Sequence, residues 1–173
     1  MSENNLIPIL PQEEFERRER RHSSVVPEIW NLLDSVKDPE VPVISIWELG
    51  VLQDVLVTDG AVTVSITPTY SGCPAINAMA EDIELCLKNA GYERVEVLRQ
   101  LHPAWSTSWM SVEAKRKLAD YGIAPSQKDD EGIACPHCGS FDIKLVSHFG
   151  STACKALYQC RSCSEPFDYF KNL

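Results

Sequence analysis

Two pairs of cysteines near the C-terminus, Cys135-Pro136-His137-Cys138 and Cys160-Arg161-Ser162-Cys163, restrict what this chain can fold into more than any other feature. Each C-x-x-C pair presents two sulfurs from one tight turn. The 21 residues between the pairs, 139–159, suit a short β-hairpin. Four thiolates on two such turns match a tetrahedral zinc ion at metal–sulfur distances of about 2.3 Å. An iron–sulfur cluster accepts the same sulfur set, and disulfides or idle thiols are the remaining alternatives; zinc is the preferred reading. The stretch from about 133 to 173 is too short to fold on apolar burial alone, which favours a metal. A fifth thiol, Cys154, lies inside the hairpin in Gly150-Ser151-Thr152-Ala153-Cys154-Lys155 and reads as a small buried apolar residue. His137 and His148 could also ligate a metal, but the paired hooks make them unnecessary.

The chain has seven cysteines, an odd number. Its first eleven residues are only weakly apolar, and the charged run Glu13-Glu14-Phe15-Glu16-Arg17-Arg18-Glu19-Arg20-Arg21 follows them. That order is the reverse of a secretory signal, and no run approaches the roughly 18 apolar residues of a membrane span. The expectation is a cytoplasmic chain without membrane attachment, with reduced thiols and hooks that hold metal. Net charge is −9, from 25 acidic and 16 basic residues. This argues against nucleic acid, which selects basic surfaces, and toward a protein partner. The Arg-rich run reads as a solvated tail or helix, with a docking arm for an acidic partner as the alternative.

Residues 1–25 are read as a flexible N-terminal tail. Pro27 suits a first helical turn, and Ile29, Leu32, Leu33 and Val36 follow at helical spacing. Asp38-Pro39-Glu40-Val41-Pro42 stops that helix. Two strands, 51–58 and 61–67, flank Asp59-Gly60, a dipeptide suited to a type I′ hairpin turn. A helix from about Pro74 carries Ile76, Met79, Ala80, Ile83 and Leu87 on one face and stops at Gly91. Val95 and Val97 mark a third strand, and Ser111 caps a last helix that ends at Gly122. The order α-β-β-α-β-α predicts an α+β domain over residues 26–125. A polar linker, 126–132, precedes a zinc-ribbon-like β module, 133–173.

Cys73 differs from the hook cysteines. In Ser71-Gly72-Cys73-Pro74 it falls between the second strand and the helix, so its sulfur is placed near a helix N-terminus, where a lowered pKa is expected. A functional thiol and a packing cysteine remain open on spacing alone, whereas mid-helix Cys86 reads as core. Asp38 and Glu40 bracket Pro39 and invite a paired-carboxylate role, against the plainer reading of turn-forming acids. Trp105, Trp109 and Met110 form an aromatic loop, either a partner site or a lid on the core. No Ser-His-Asp order, phosphate-binding glycine loop or helical metal motif occurs, and no catalytic residue is assigned.

Asp38-Pro39-Glu40-Val41-Pro42, Leu49-Gly50-Val51 and Thr67-Pro68-Thr69-Tyr70-Ser71-Gly72-Cys73-Pro74 together resemble the signature of the iron–sulfur cluster assembly (FSCA) domain family. Pro103-Ala104-Trp105, Trp109-Met110-Ser111, the run Phe149-Gly150-Ser151-Thr152-Ala153-Cys154-Lys155-Ala156-Leu157 and Glu165-Pro166-Phe167-Asp168-Tyr169-Phe170 narrow it. With them the chain is similar to the PaaD family, whose members belong to bacterial phenylacetyl-CoA epoxidase systems, from residue 26 to its end. One departure is Glu48, where many members have aspartate. The resemblance implies a non-catalytic accessory role in phenylacetate catabolism, with assembly or delivery of an iron–sulfur cluster to the reductase component. It makes Cys73 the transfer thiol and Asp38 and Glu40 its neighbours. It implies structural zinc on Cys135, Cys138, Cys160 and Cys163, beside a transient iron–sulfur cluster. Partners implied are the reductase and the oxygenase subunits. The alternative is a structural or regulatory component of the epoxidase that passes no cluster. One thiol cannot hold a cluster alone, so a homodimer, Cys154 or a partner's thiols must complete it.

Overall fold

A computed structural model of the chain describes residues 12–126 and 132–173. Helix α1 (Gln12–His22) precedes helix α2 (Pro27–Leu33), which begins on proline, whose missing amide costs nothing in a first turn. Strands β1 (Leu52–Thr58) and β2 (Ala61–Ile66) pair antiparallel across Asp59 and Gly60. Both turn residues have positive φ, 50° and 74°, as a type I′ turn requires. Helix α3 (Ala75–Asn89) carries the chain over to β3 (Arg94–Arg99), which lies parallel to β2. A 3₁₀ turn (Thr107–Trp109) and helix α4 (Val112–Asp120) complete this half, with the Ser111 hydroxyl accepting from the Ala114 amide at 2.9 Å. The α+β order read from the sequence is therefore present.

Alternation along β2 puts Val62, Val64 and Ile66 fully inside the core. They meet Ile29, Trp30 and Leu33 of α2 and the face of α3 formed by Ile76, Met79, Ala80, Ile83 and Leu87. Burying a large aliphatic side chain contributes about 1.5–3 kcal/mol, so this layer dominates the fold's stability. Trp105 and Trp109 are buried too, which decides between the two readings of the aromatic loop: they cover the core. The Trp105 indole donates to the Leu49 carbonyl at 3.1 Å. At Gly50, with φ +84°, a Cβ would lie 2.8 Å from the Trp109 Cβ. Only glycine lets these two segments meet.

A second sheet has the order β4-β7-β6-β5, from β4 (Ile123–Ala124), β5 (Ile143–Ser147), β6 (Lys155–Cys160) and β7 (Pro166–Phe170). β5 and β6 form the hairpin expected between the cysteine hooks. β4 follows α4 and pairs parallel with β7, stitching the sheet to the first half. Phe170 packs on Trp105 at 5.8 Å between ring centroids, and the Thr107 amide donates to the Leu173 carbonyl at 3.2 Å.

The N-terminal expectation needs correction. Residues 1–11 lie outside the described residues, as do 127–131 of the expected linker, but residues 12–22 are a docked helix and no tail. Glu14 and Arg17 are both about 1% exposed. Arg17 pairs with Glu14 at 3.0 Å and donates to the carbonyls of Trp47, Leu52 and Trp109. Its guanidinium stacks 3.8 Å from the Trp47 ring centroid. The helix was unreadable as a core element because the face it buries is an ion pair.

Candidate functional site

The four hook cysteines converge. Their sulfurs all lie within 4.8 Å of one another, with Cys135 to Cys163 at 3.8 Å and Cys138 to Cys160 at 3.5 Å. A tetrahedron with metal–sulfur bonds of about 2.3 Å has edges of roughly 3.8 Å, so the sulfurs stand at ligand spacing and not at the roughly 2.05 Å of a disulfide. All are free thiols. Gly139 and Ser164, each just past a hook, have φ of 75° and 66° and fold the chain back to aim backbone amides at sulfur. The amides of Cys163 and Ser162, opposed by burial, hold the Cys160 thiol down to about 6. The donor set is a metal-binding site made of four thiolates.

A second constellation forms where the two sheets meet. Cys73 stands just before Pro74, the cap of α3, so its place at a helix N-terminus is as expected. The direction of its pKa is not. Burial pushes the Cys73 thiol up from its ordinary 9.0. The Ala75 amide and Thr69 hydroxyl pull it down, but charge on Glu40 and Cys154 adds to the rise. Desolvation thus outweighs the helix terminus.

Glu40 arrives from the Asp38-Pro39-Glu40 turn. The Asp38 carboxylate accepts from the Glu40 and Val41 amides at 2.7 and 2.8 Å, locking the turn's shape. Burial raises the pKa of both acids, and Asp38 raises that of Glu40 further. Asp38 therefore shapes and charges the site from behind Glu40. The second sheet contributes Cys154 and Lys155, both buried. The Thr152 hydroxyl lies 3.0 Å from the Cys154 sulfur, yet burial, helped by Glu40, still raises this thiol. Lys155 is the cation that opposes the rise at Asp38, Glu40 and Cys154. Tyr70 lies among the same groups, its pKa raised by burial and by Cys73, Cys154 and Glu40.

The site thus gathers two thiols and two carboxyls that resist ionising, around one buried ammonium. A metal bound by these thiols would have to displace their protons, so its binding would strengthen as pH rises. Glu40 and Lys155 line a groove of ≈ 580 Å³ whose wall also includes His137, Phe149 and Phe167. Glu48, the departure from the family pattern, lies elsewhere. It accepts from the Ser45 amide at 2.9 Å and pairs with Lys117 at 2.6 Å, tying α4 to the turn before β1. Cys86 touches the Leu32 carbonyl at 3.5 Å, consistent with packing.

Sequence reasoning missed Lys155 and the company Cys154 keeps. Cys154 is buried in the apolar core cluster as expected, but Thr152, Lys155 and Glu40 also stand beside it. The only local signal was the unusual run around Cys154 and Lys155.

Comparison with known proteins locates the same two halves. An iron–sulfur cluster assembly protein family model matches residues 27–98, and a PaaD zinc beta ribbon domain model matches residues 123–171. A protein of Escherichia coli (strain K12), provisionally named as one of the subunits of 1,2-phenylacetyl-CoA epoxidase, is 45% identical over 152 residues, covering 84% of this chain and 92% of that protein. An Fe-S protein maturation auxiliary factor of Porphyromonas gingivalis is 36% identical over 93 residues, 53% of this chain and 88% of its own. Among solved structures, the DUF59 domain of unknown function from Bacillus anthracis aligns with a TM-score of 0.50 at 26% identity, covering 60% of this chain and 95% of that one. No helix among the described residues is long and apolar enough to cross a membrane.

Proposed function

The chain belongs to the PaaD family of phenylacetyl-CoA epoxidase systems, and on that premise we propose that it is a non-catalytic maturation factor that holds an iron–sulfur cluster on Cys73 and delivers it to the reductase component. The observation that carries this reading is that buried Cys73 has Glu40 and Cys154 as charge neighbours, while Glu40, with Lys155, lines an adjoining open groove. A site meant only to pack a cysteine gains nothing from a carboxylate and an ammonium beside it, since buried charge is costly.

The cluster is cargo. Cys73 rests as a neutral thiol because burial and Glu40 disfavour its thiolate. It becomes a ligand when an iron atom displaces the proton, and Glu40, at the groove, is placed to take that proton up. A resting thiol that is a weak nucleophile also resists oxidation between deliveries. The four ribbon cysteines hold zinc in this proposal, a redox-silent ion that sets the fold of β5 to β7.

The supporting test is co-expression of the reductase with the wild-type chain or with Cys73→Ser. Reductase iron, sulfide and electron-transfer activity should fall with the variant. Equal cluster occupancy in both would sink the proposal. The name of the Escherichia coli relative favours one second reading, a structural part of the epoxidase. Co-purification with the oxygenase subunits at fixed stoichiometry, without iron, would support that reading instead.

A further inference from the structure

We propose that Cys154, presented by the ribbon, is the second thiolate ligand of the cargo held by Cys73, so that one chain supplies two of the cluster's four thiolates and small-molecule thiols the other two. This rests on the reading of Cys73 as the cargo thiol and adds to it a ligand from the other half of the molecule.

The geometry begins with the loop between β5 and β6. The Asp168 carboxylate accepts from the Ser151 amide at 3.2 Å and from the Ser151 hydroxyl at 2.6 Å. A Cβ at Gly150 would collide with the same carboxylate, so glycine is what lets the clamp close. On the far side, the Lys171 amide donates to the Cys154 carbonyl at 3.0 Å and the Lys171 ammonium to the Ala153 carbonyl at 2.7 Å. The Lys155 amide donates back to the Thr152 carbonyl at 3.2 Å. Five hydrogen bonds therefore hold a loop whose one chemically reactive side chain is Cys154.

Charge on that thiol is felt at Cys73. Both belong to the same buried cluster, together with Phe170 and Trp105, which join the ribbon to the first half. The same three groups, Cys73, Cys154 and Glu40, surround Tyr70. Among the described residues, however, only the ribbon hooks bring three or more ligand atoms within 4.8 Å of one another. The ligand atoms of Cys73, Cys154 and Glu40 are therefore not all within 4.8 Å of one another, as a site for a single ion would require. Two thiols in one buried cluster instead suit a polynuclear cargo, which takes four thiolates in all.

Loading is a ligand exchange with no change of oxidation state. Two iron–sulfur bonds form, to Cys73 and Cys154, and two bonds to the donor's thiolates break. The two protons leaving the arriving thiols pass to the departing thiolates, that of Cys73 by way of Glu40, so charge and atoms balance. Lys155 remains to offset the negative charge of the bound cluster.

The test uses the full chain, purified anaerobically with its ribbon metal, incubated with ferric iron, a thiol reductant and sulfide and then desalted. Bound iron and acid-labile sulfide are measured for wild type, Cys73→Ser, Cys154→Ser and Cys154→Ala. One zinc per chain and an unchanged melting temperature report an intact fold, and the alanine variant decides if serine perturbs it. Both Cys154 variants should lose cluster to the level of Cys73→Ser. Wild-type retention in the Cys154 variants, with loss in Cys73→Ser, overturns this inference and leaves the proposed function standing. Wild-type chain that holds no cluster, or holds it equally well without Cys73, overturns both.

Discussion

Arg17 is charged, long and set in an Arg-rich run, yet it is the buried hub of the N-terminal helix. Removing it takes a donor from the carbonyls of Trp47, Leu52 and Trp109 and a buried cation from Glu14, which keeps Arg18 at 2.6 Å, and burial already lowers the Arg17 pKa to about 10. Arg17→Met should cost about 1–3 kcal/mol, the penalty of leaving buried polar groups short of a partner. Urea unfolding monitored by circular dichroism checks this; a loss below about 1 kcal/mol would mean α1 carries little of the fold. Glu40 offers the second residue-scale prediction. It raises the Cys73 pKa, so Glu40→Gln should lower it. The pH profile of Cys73 alkylation by iodoacetamide should then inflect above 9.0 in wild type and at lower pH in the variant. An unchanged or higher inflection would contradict the site's electrostatics.

At the scale of elements, what could be read from the sequence was whatever repeats locally. Helix α3 announced its buried face through Ile76, Met79, Ile83 and Leu87, and the Asp59-Gly60 turn fixed the β1–β2 register. The hooks announced their own metal site because four sulfurs at two C-x-x-C spacings admit few other arrangements. Helix α1 escaped because an ion pair, and no apolar stripe, faces the core. β4 escaped because two residues carry no period. The ribbon elements also yield a prediction about metal. Structural zinc contributes on the order of 10–16 kcal/mol of apparent binding energy to small modules. Chelation should therefore unfold β5 to β7, uncover Trp105 where Phe170 now covers it, and red-shift tryptophan emission. Adding zinc back should reverse the shift, and the variant Trp105→Phe should lack most of it. Emission that ignores the chelator would detach the metal from the fold.

For the whole molecule, the consequence lies in how the two sheets share one site. Cys73 belongs to a strand–helix turn of the first half, while Cys154 and Lys155 enter from the hairpin of the second. Such a long-range meeting leaves no periodic mark in the sequence, which is why Cys73 was legible as a candidate while Cys154 was only one of three ways to complete a cluster. The groove past Glu40 and Lys155 toward His137 runs from this site to the edge of the metal hooks. In the proposed function it is the path along which a reductase meets its cluster. The ribbon would then serve both as docking surface and as part of the site. The most direct measurement is transfer itself: chain loaded with an iron–sulfur cluster is mixed anaerobically with cluster-free reductase, in the presence of an iron chelator. The account predicts that reductase electron-transfer activity appears with wild-type chain and is lost with Cys73→Ser reconstituted in parallel. Reductase that matures at the same rate with either chain, or with iron and sulfide alone, would contradict it.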